Sequence, residues 1–326
     1  MRTRRSRTIR KEPRVPNFAD LLTSPEPSRP VITAEFPVMD GGGLPEIAAK
    51  LACLTPYVDA VNATDNASAH AHVSNVALAI AIQQYGVEPV LQLVCRDKNR
   101  LALEADIMGA ALHGITAVSC MTGDDVTAGD EPEARRVFDL DAVQLIRVAA
   151  GLAKGHYLSG RPIDPAPKLL IGAVENPAAP PHAYRVRRAL KKAAAGARFL
   201  QLQICYHPDR LAEFTRIGAA TGLTPKVALL PSIVLVKGAR SLRYMNKRVP
   251  GIHVPDELID RLAAAPDQRE AAYQLALEQA THALSLEGVR GLHFIDFRHD
   301  DALGRLCSDL GLPTVRSAPE GNALAV

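Results

Sequence analysis

The chain has 326 residues, 47 % hydrophobic and 4 % aromatic, with no Trp and a net charge of +3. That length and apolar fraction suit one large α/β domain with a core of Ala, Leu, Val and Ile. No run of eighteen uninterrupted apolar residues occurs, which argues against a membrane span.

The charge is uneven. Residues 1–14 hold seven basic side chains against Glu12 alone, a net of +6, so the remainder carries −3. This end lacks the apolar core of a secretory signal and has no aromatics to stack on bases. Residues 1–28 read as a short, disordered, basic N-terminal tail and 29–326 as the folded domain. Such a tail could touch RNA, acidic lipid or an acidic partner; nothing else in the chain speaks for nucleic acid. Cys53, Cys95, Cys120, Cys205 and Cys307 form no CxxC pair, and there is no HExxH, so no metal site is expected. The thiols read as small buried side chains in a reducing cytoplasm.

Beyond Pro30, strand-like apolar runs recur at 31–36, 58–63, 90–94, 117–121, 168–174, 199–204, 227–236 and 291–297. Helical patterns fall at 44–54, 74–85, 100–113, 140–154, 183–195, 208–221 and 256–286, with a last one at 302–310. Eight strand–helix units predict a (β/α)8 TIM barrel. A doubly wound sheet has fewer strands, and its dinucleotide form needs GxGxxG after the first strand. Gly41–Gly43 lacks that spacing and reads as a turn. The Gly- and Pro-rich stretch 155–167 reads as a loop before the fifth strand.

A barrel gathers its ligand groups at the carboxyl ends of the strands. The polar residues there are Glu35; Thr64, Asp65 and Asn66; Gln92, Arg96 and Asp97; Thr122, Asp124 and Asp125; Glu175 and Asn176; Gln203; and Asp296 with Arg298. Glu35 lies in an apolar run, where desolvation raises a carboxyl pKa toward the range of a proton donor. Gln201 and Gln203 project to one face, and a barrel interior tolerates amides that bind something. Asp97, Asp125 and Asp139 read as caps or loop groups, whereas Asp124, following Thr-Gly at a strand end, reads as a ligand group.

At these positions the chain resembles the methylenetetrahydrofolate reductase family, in its short bacterial and archaeal catalytic-domain form. The matching segments, in order, are Thr33–Pro37, Val61–Asn66, Gln92–Arg100, Met121–Asp124 with Val137–Asp141, Ile171–Pro177, Lys191–Lys192 with Ala195–Ala197, Gln201–Gln203, Val249–Gly251 with Val254–Glu257, and Leu292–Phe294. They span roughly residues 30–312, and their fixed order around an eight-fold repeat is what makes the resemblance specific.

The resemblance implies a barrel that reduces the methylene bridge of a tetrahydropterin to a methyl group with NAD(P)H, through FAD. It implies Glu35 as the general acid, Asp124 as the carboxylate near flavin and pterin, and Gln203 as the pterin-binding amide, with Arg298 also at the substrate. Thr64, Gln92, Thr122, Gly123, Asp124, Asn176 and Lys192 fall at flavin contacts, Lys192 toward the phosphates. Better-known flavin-containing members carry His at Gln92, Arg at Thr122, an aromatic near Val174, Tyr at Ile295, and Thr at Val94. Two alternatives stay open: flavin-free direct hydride transfer by the same residues, and a pterin-binding subunit that needs a partner for catalysis. A homo-oligomer or a separate redox subunit is the implied assembly.

Overall fold

The computed structural model describes residues 17–24 and 27–316. Eight parallel strands close a barrel in sequence order. They are β1 (Val31–Glu35), β2 (Ala60–Ala63), β3 (Glu88–Val94), β4 (Ala117–Met121), β5 (Leu170–Glu175), β6 (Phe199–Leu202), β7 (Ala228–Leu235) and β8 (Gly291–Asp296). The ring closes where Val31 to Ala34 of β1 pair with Gly291 to Phe294 of β8. The (β/α)8 expectation is met. Around the ring lie α1 (Phe18–Thr23), α2 (Leu44–Leu54), α3 (Asn75–Gln84), α4 (Arg100–Leu112), α5 (Ala142–Ala153), α6 (His182–Ala195), α7 (Pro208–Ala220), α8 (Ala239–Arg248), α9 (Asp256–Ala264), α10 (Gln268–Leu284) and α11 (Ala302–Asp309).

Local chemistry sets the helix ends. Asn99 starts α4 by accepting from the Ala102 N–H, and Asp141 with Gln144 forms a capping box at the start of α5. The expected helix 256–286 divides because Pro266 cannot continue α9, while Asp267 accepts from the N–H groups of Arg269 and Glu270 to begin α10. Helix α8 has no counterpart in the apolar pattern. Arg240, Arg243, Lys247 and Arg248 make it strongly basic, and its buried apolar anchors are Ala239, Leu242 and Met245.

Side chains inside the barrel alternate along each strand and form tiers. The lowest tier is apolar: Val31, Ala60, Val90, Ala117, Leu170, Phe199, Ala228 and Leu230 share one cluster with Phe18, Leu21 and Leu22. Above it lies a buried polar tier that includes Thr33, Asn62, Gln92, Ser119, Gln201 and His293. Gly172 leaves room for the Phe199 ring, since a Cβ there would stand 2.1 Å from Phe199 Cζ.

The tail expected over residues 1–28 needs a correction at its C-terminal end; its first sixteen residues lie outside the described residues. Asn17 caps α1 by accepting from the Asp20 N–H, and α1 plugs the amino-terminal end of the barrel. Phe18 meets Phe199 edge-on with ring centroids 5.6 Å apart, and its N–H donates to Glu88 at the start of β3. The charge pattern of this segment hid three apolar residues at helical spacing, Phe18, Leu21 and Leu22. Phe18→Ala is expected to cost about 3 kcal/mol of unfolding free energy, measurable by urea denaturation.

No helix among the described residues is long and apolar enough to cross a membrane. Cys95, Cys120 and Cys307 are buried, Cys205 is half-buried and Cys53 is exposed, and all five are free thiols.

Candidate active site

The carboxyl ends of the strands open into a cleft of about 1040 Å³. Eight of the ten residues singled out from the sequence line it: Glu35, Gln92, Thr122, Gly123, Asp124, Asn176, Lys192 and Gln203. Thr64 and Arg298 do not.

Glu35 ends β1 at the cleft floor. Its side chain is 26 % exposed, so it opens into the cleft and is not enclosed as its apolar neighbours Ala34 and Phe36 imply. One carboxylate oxygen, Oε2, receives His293 Nε2 at 3.1 Å and Gln92 Nε2 at 3.5 Å. Gln92 therefore touches the candidate acid, a contact the resemblance did not imply. Asp124 follows Gly123, whose φ of +93° favours glycine. A Cβ at Gly123 would meet Val94 Cγ1 at 2.4 Å. Burial against the cleft wall pushes the Asp124 carboxyl above its ordinary range, and the nearby Arg96 guanidinium opposes that rise. Gln203 accepts from the Ile204 N–H through Oε1 at 3.0 Å. Its amide nitrogen has no hydrogen-bond partner among the described residues.

Several expected contacts are committed elsewhere. Lys192 is 1 % exposed, and its ammonium donates to Glu175 Oε2 at 2.8 Å and to the Val174 carbonyl. Burial lowers its pKa, with Glu175 pulling the other way. It anchors α6 to β5 and does not present an open charge. Asn176 donates to the Gly251 carbonyl and accepts from the Ala178 N–H, stitching two rim loops together. Thr122 Oγ1 accepts from the Ala142 N–H and fastens α5. Thr64 is buried and off the cleft wall. Arg298 turns outward to Asp300 and the Arg269 carbonyl, because Asp296 accepts from the N–H groups of Arg298 and His299 and bends the chain there. Phe297 and His299 line the cleft in its place. Of the residues read as loop groups, Asp125 pairs with Arg136, Asp139 with Arg100 and Asp97 with Arg96.

The sequence reading missed four features. Arg185 and Arg188 on α6 stand 3.6 Å and 3.8 Å from Glu175 and line the cleft. With Lys192 they bring three cations to one carboxylate, leaving positive charge on this wall. His293 touches Glu35; Leu292–Phe294 is a matching segment of the resemblance, which assigns no role to its histidine. Gln201 pairs with Asn62 through two amide hydrogen bonds of 3.0 Å, so the partner of this interior amide is another amide. Residues 66–69 hold Asn66, Ser68 and Ala69 at positive φ on the cleft rim. Backbone strain of this kind gathers at ligand sites. Helical spacing on α6 was the available signal for Arg185, Arg188 and Lys192, which recur at intervals of three and four.

Among the described residues, no group of three or more His, Cys, Asp or Glu is placed to hold a metal ion. The residues do suit an aromatic dinucleotide. The cleft is large enough for an extended ligand, and Arg188 on α6 offers a part-exposed cation to phosphates.

No curated protein matches the chain. Among solved structures, an uncharacterized protein from Clostridium thermocellum, described as binding two copies of 5-methyl-5,6,7,8-tetrahydrofolic acid, superposes with a TM-score of 0.63 at 12 % identity. The match covers 86 % of this chain and 95 % of that one, a likeness of fold. The family model for methylenetetrahydrofolate reductase matches residues 28–311. With that match over most of its length and a closed eight-stranded barrel carrying Glu35, Asp124 and Gln203 on one rim, the chain belongs to the methylenetetrahydrofolate reductase family.

Proposed function

We propose that this protein reduces the methylene group of 5,10-methylenetetrahydrofolate, or of a closely related tetrahydropterin, to a 5-methyl group with NAD(P)H, working in a reducing cytoplasm. The observation that carries this reading is the convergence of a half-exposed carboxyl, a second carboxyl and an amide on one cleft. Glu35 protonates a nitrogen of the bridge and opens the five-membered ring to an iminium cation. The negative charge of Asp124 favours that cation across the cleft. Gln203, with an uncommitted amide nitrogen, orients the pterin through its ring acceptors.

FAD, when bound, supplies the two-electron step between nicotinamide and pterin. Arg188 would suit its diphosphate, and Asp124 and Gln92 would offer polar partners to its ring system. A flavin-free variant of the same chemistry draws on a specific observation: Lys192, Asn176 and Thr122 are already occupied by protein partners.

The test uses the full-length protein as purified. Incubation with 5,10-methylenetetrahydrofolate and NADH or NADPH should yield the 5-methyl product, read by mass spectrometry. An absorbance scan shows flavin bands if FAD is resident and none if hydride passes directly. Absence of product with both nucleotides, with and without added FAD, would refute the reading.

A further inference from the structure

A buried hydrogen-bond chain runs from the polar tier of the barrel to Glu35. Asn62 and Gln201 exchange their two amide bonds, and the remaining hydrogen of Gln201 Nε2 faces His293 Nδ1 at 3.1 Å. Thr33 Oγ1 stands 2.9 Å from the same ring nitrogen. An amide nitrogen offers only hydrogens, so Nδ1 is the acceptor and the ring proton resides on Nε2. That proton meets Glu35 Oε2 at 3.1 Å. Reversing both amides would put Gln201 Oε1 against Nδ1 and demand a proton there. Nε2 would then lie bare against Oε2, setting two acceptors together whenever Glu35 is ionised. For a neutral ring, the ionised carboxylate therefore selects the first arrangement. Gln92 aims at Oε2 as well, and Oε1 has no hydrogen-bond partner among the described residues.

We propose that His293 is a positioning residue: neutral and protonated on Nε2 through the Gln201–Asn62 pair, it pins Glu35 Oε2 and leaves Oε1 to carry the proton that is delivered. The proposal rests on Glu35 being the acid. In the donor step the O–H bond at Oε1 breaks and an N–H bond forms on the bridging nitrogen. The C–N bond to that nitrogen then breaks with its electron pair staying on nitrogen, and the lone pair of the other bridge nitrogen completes the iminium. The carboxylate left behind is met at Oε2 by the His293 N–H. His293 is buried and its other nitrogen faces only uncharged groups, so the ring holds the carboxyl in place, and the next proton for Oε1 enters from the cleft.

The test has two arms on the full-length chain. ¹⁵N NMR of histidine-labelled protein, with His293 assigned by its loss in His293→Gln, should show a neutral ring protonated on Nε2. In Gln201→Glu, where a carboxylate faces Nδ1, that nitrogen should gain a proton. In turnover, His293→Leu should lower kcat about tenfold to a hundredfold with KM within about twofold. His293→Gln, whose amide nitrogen falls near Nε2, should recover most of the loss. A wild-type ring protonated on Nδ1, or a folded His293→Leu with undiminished kcat, overturns the proposal. The NMR arm needs no turnover, so a wrong tautomer separates failure of the pinning from failure of Glu35 as the acid. The latter is read by Glu35→Gln keeping the parent rate.

Discussion

Glu35→Gln is expected to lower the rate of methyl formation about 10³-fold, equivalent to about 4 kcal/mol of transition-state stabilisation, while binding 5-methyltetrahydrofolate with near-parent affinity. The amide keeps the size of the carboxyl, and its oxygen can still accept from His293 Nε2 and Gln92 Nε2. Folding and pterin binding are therefore preserved while the transferable proton is lost. Single-turnover kinetics isolates the step, and titration calorimetry reads the affinity. An unchanged rate removes Glu35 from the chemistry. A lost affinity with a proportionate rate would make it a binding group instead.

Lys192→Met is expected to destabilise the fold by about 3 kcal/mol, a larger effect than any on phosphate affinity. Lys192 and Glu175 have side-chain exposures of 2 % and 1 %, and removing one member leaves a buried charge without its closest partner. Arg185 and Arg188 lie farther from that carboxylate and soften the loss without replacing the 2.8 Å contact. Arg188, at 36 % exposure, is the contrasting case. Arg188→Met should change stability by less than about 1 kcal/mol yet weaken binding of ADP, the phosphate-bearing half of FAD, by about tenfold. Chemical denaturation and nucleotide titration on the two variants decide between them. A stable Lys192→Met that has lost nucleotide affinity would restore Lys192 as a phosphate ligand.

The strands were legible because parallel barrel strands are covered on both faces and read as continuous apolar runs; all eight lie within or beside the runs expected from the sequence. Helices α1 and α8 were not legible. Their few apolar anchors are embedded in basic or Pro- and Ser-containing sequence, and tertiary burial of Phe18 or Leu242 supplies what local pattern does not. The divided helix after α8 was readable in principle from Pro266 followed by Asp267. For the site, a strand-end rule locates residues without saying what their side chains touch. It picked out Glu35, Asp124 and Gln203, and all three line the cleft. It could not foresee that Lys192 turns to Glu175, Arg298 to Asp300, or Asn176 to Gly251, since those partners are set by loop paths. His293 was hidden for a related reason. Its neighbours Leu292 and Phe294 face the helices, and one histidine between them looks like core until β8 is paired with β1 and Thr33 is found beside it.

Helix α1 closes the end of the barrel away from the cleft, so the chain joins the folded body at Asn17 on the far side from the ligands. A handle attached ahead of Asn17, whether an affinity tag, a fused reporter or a linker to a bead, should leave the mouth pointing into solution. Immobilised preparations anchored that way are expected to keep full access for bulky nucleotides, whereas anchoring near Phe297 or Tyr244 would set the support across the opening.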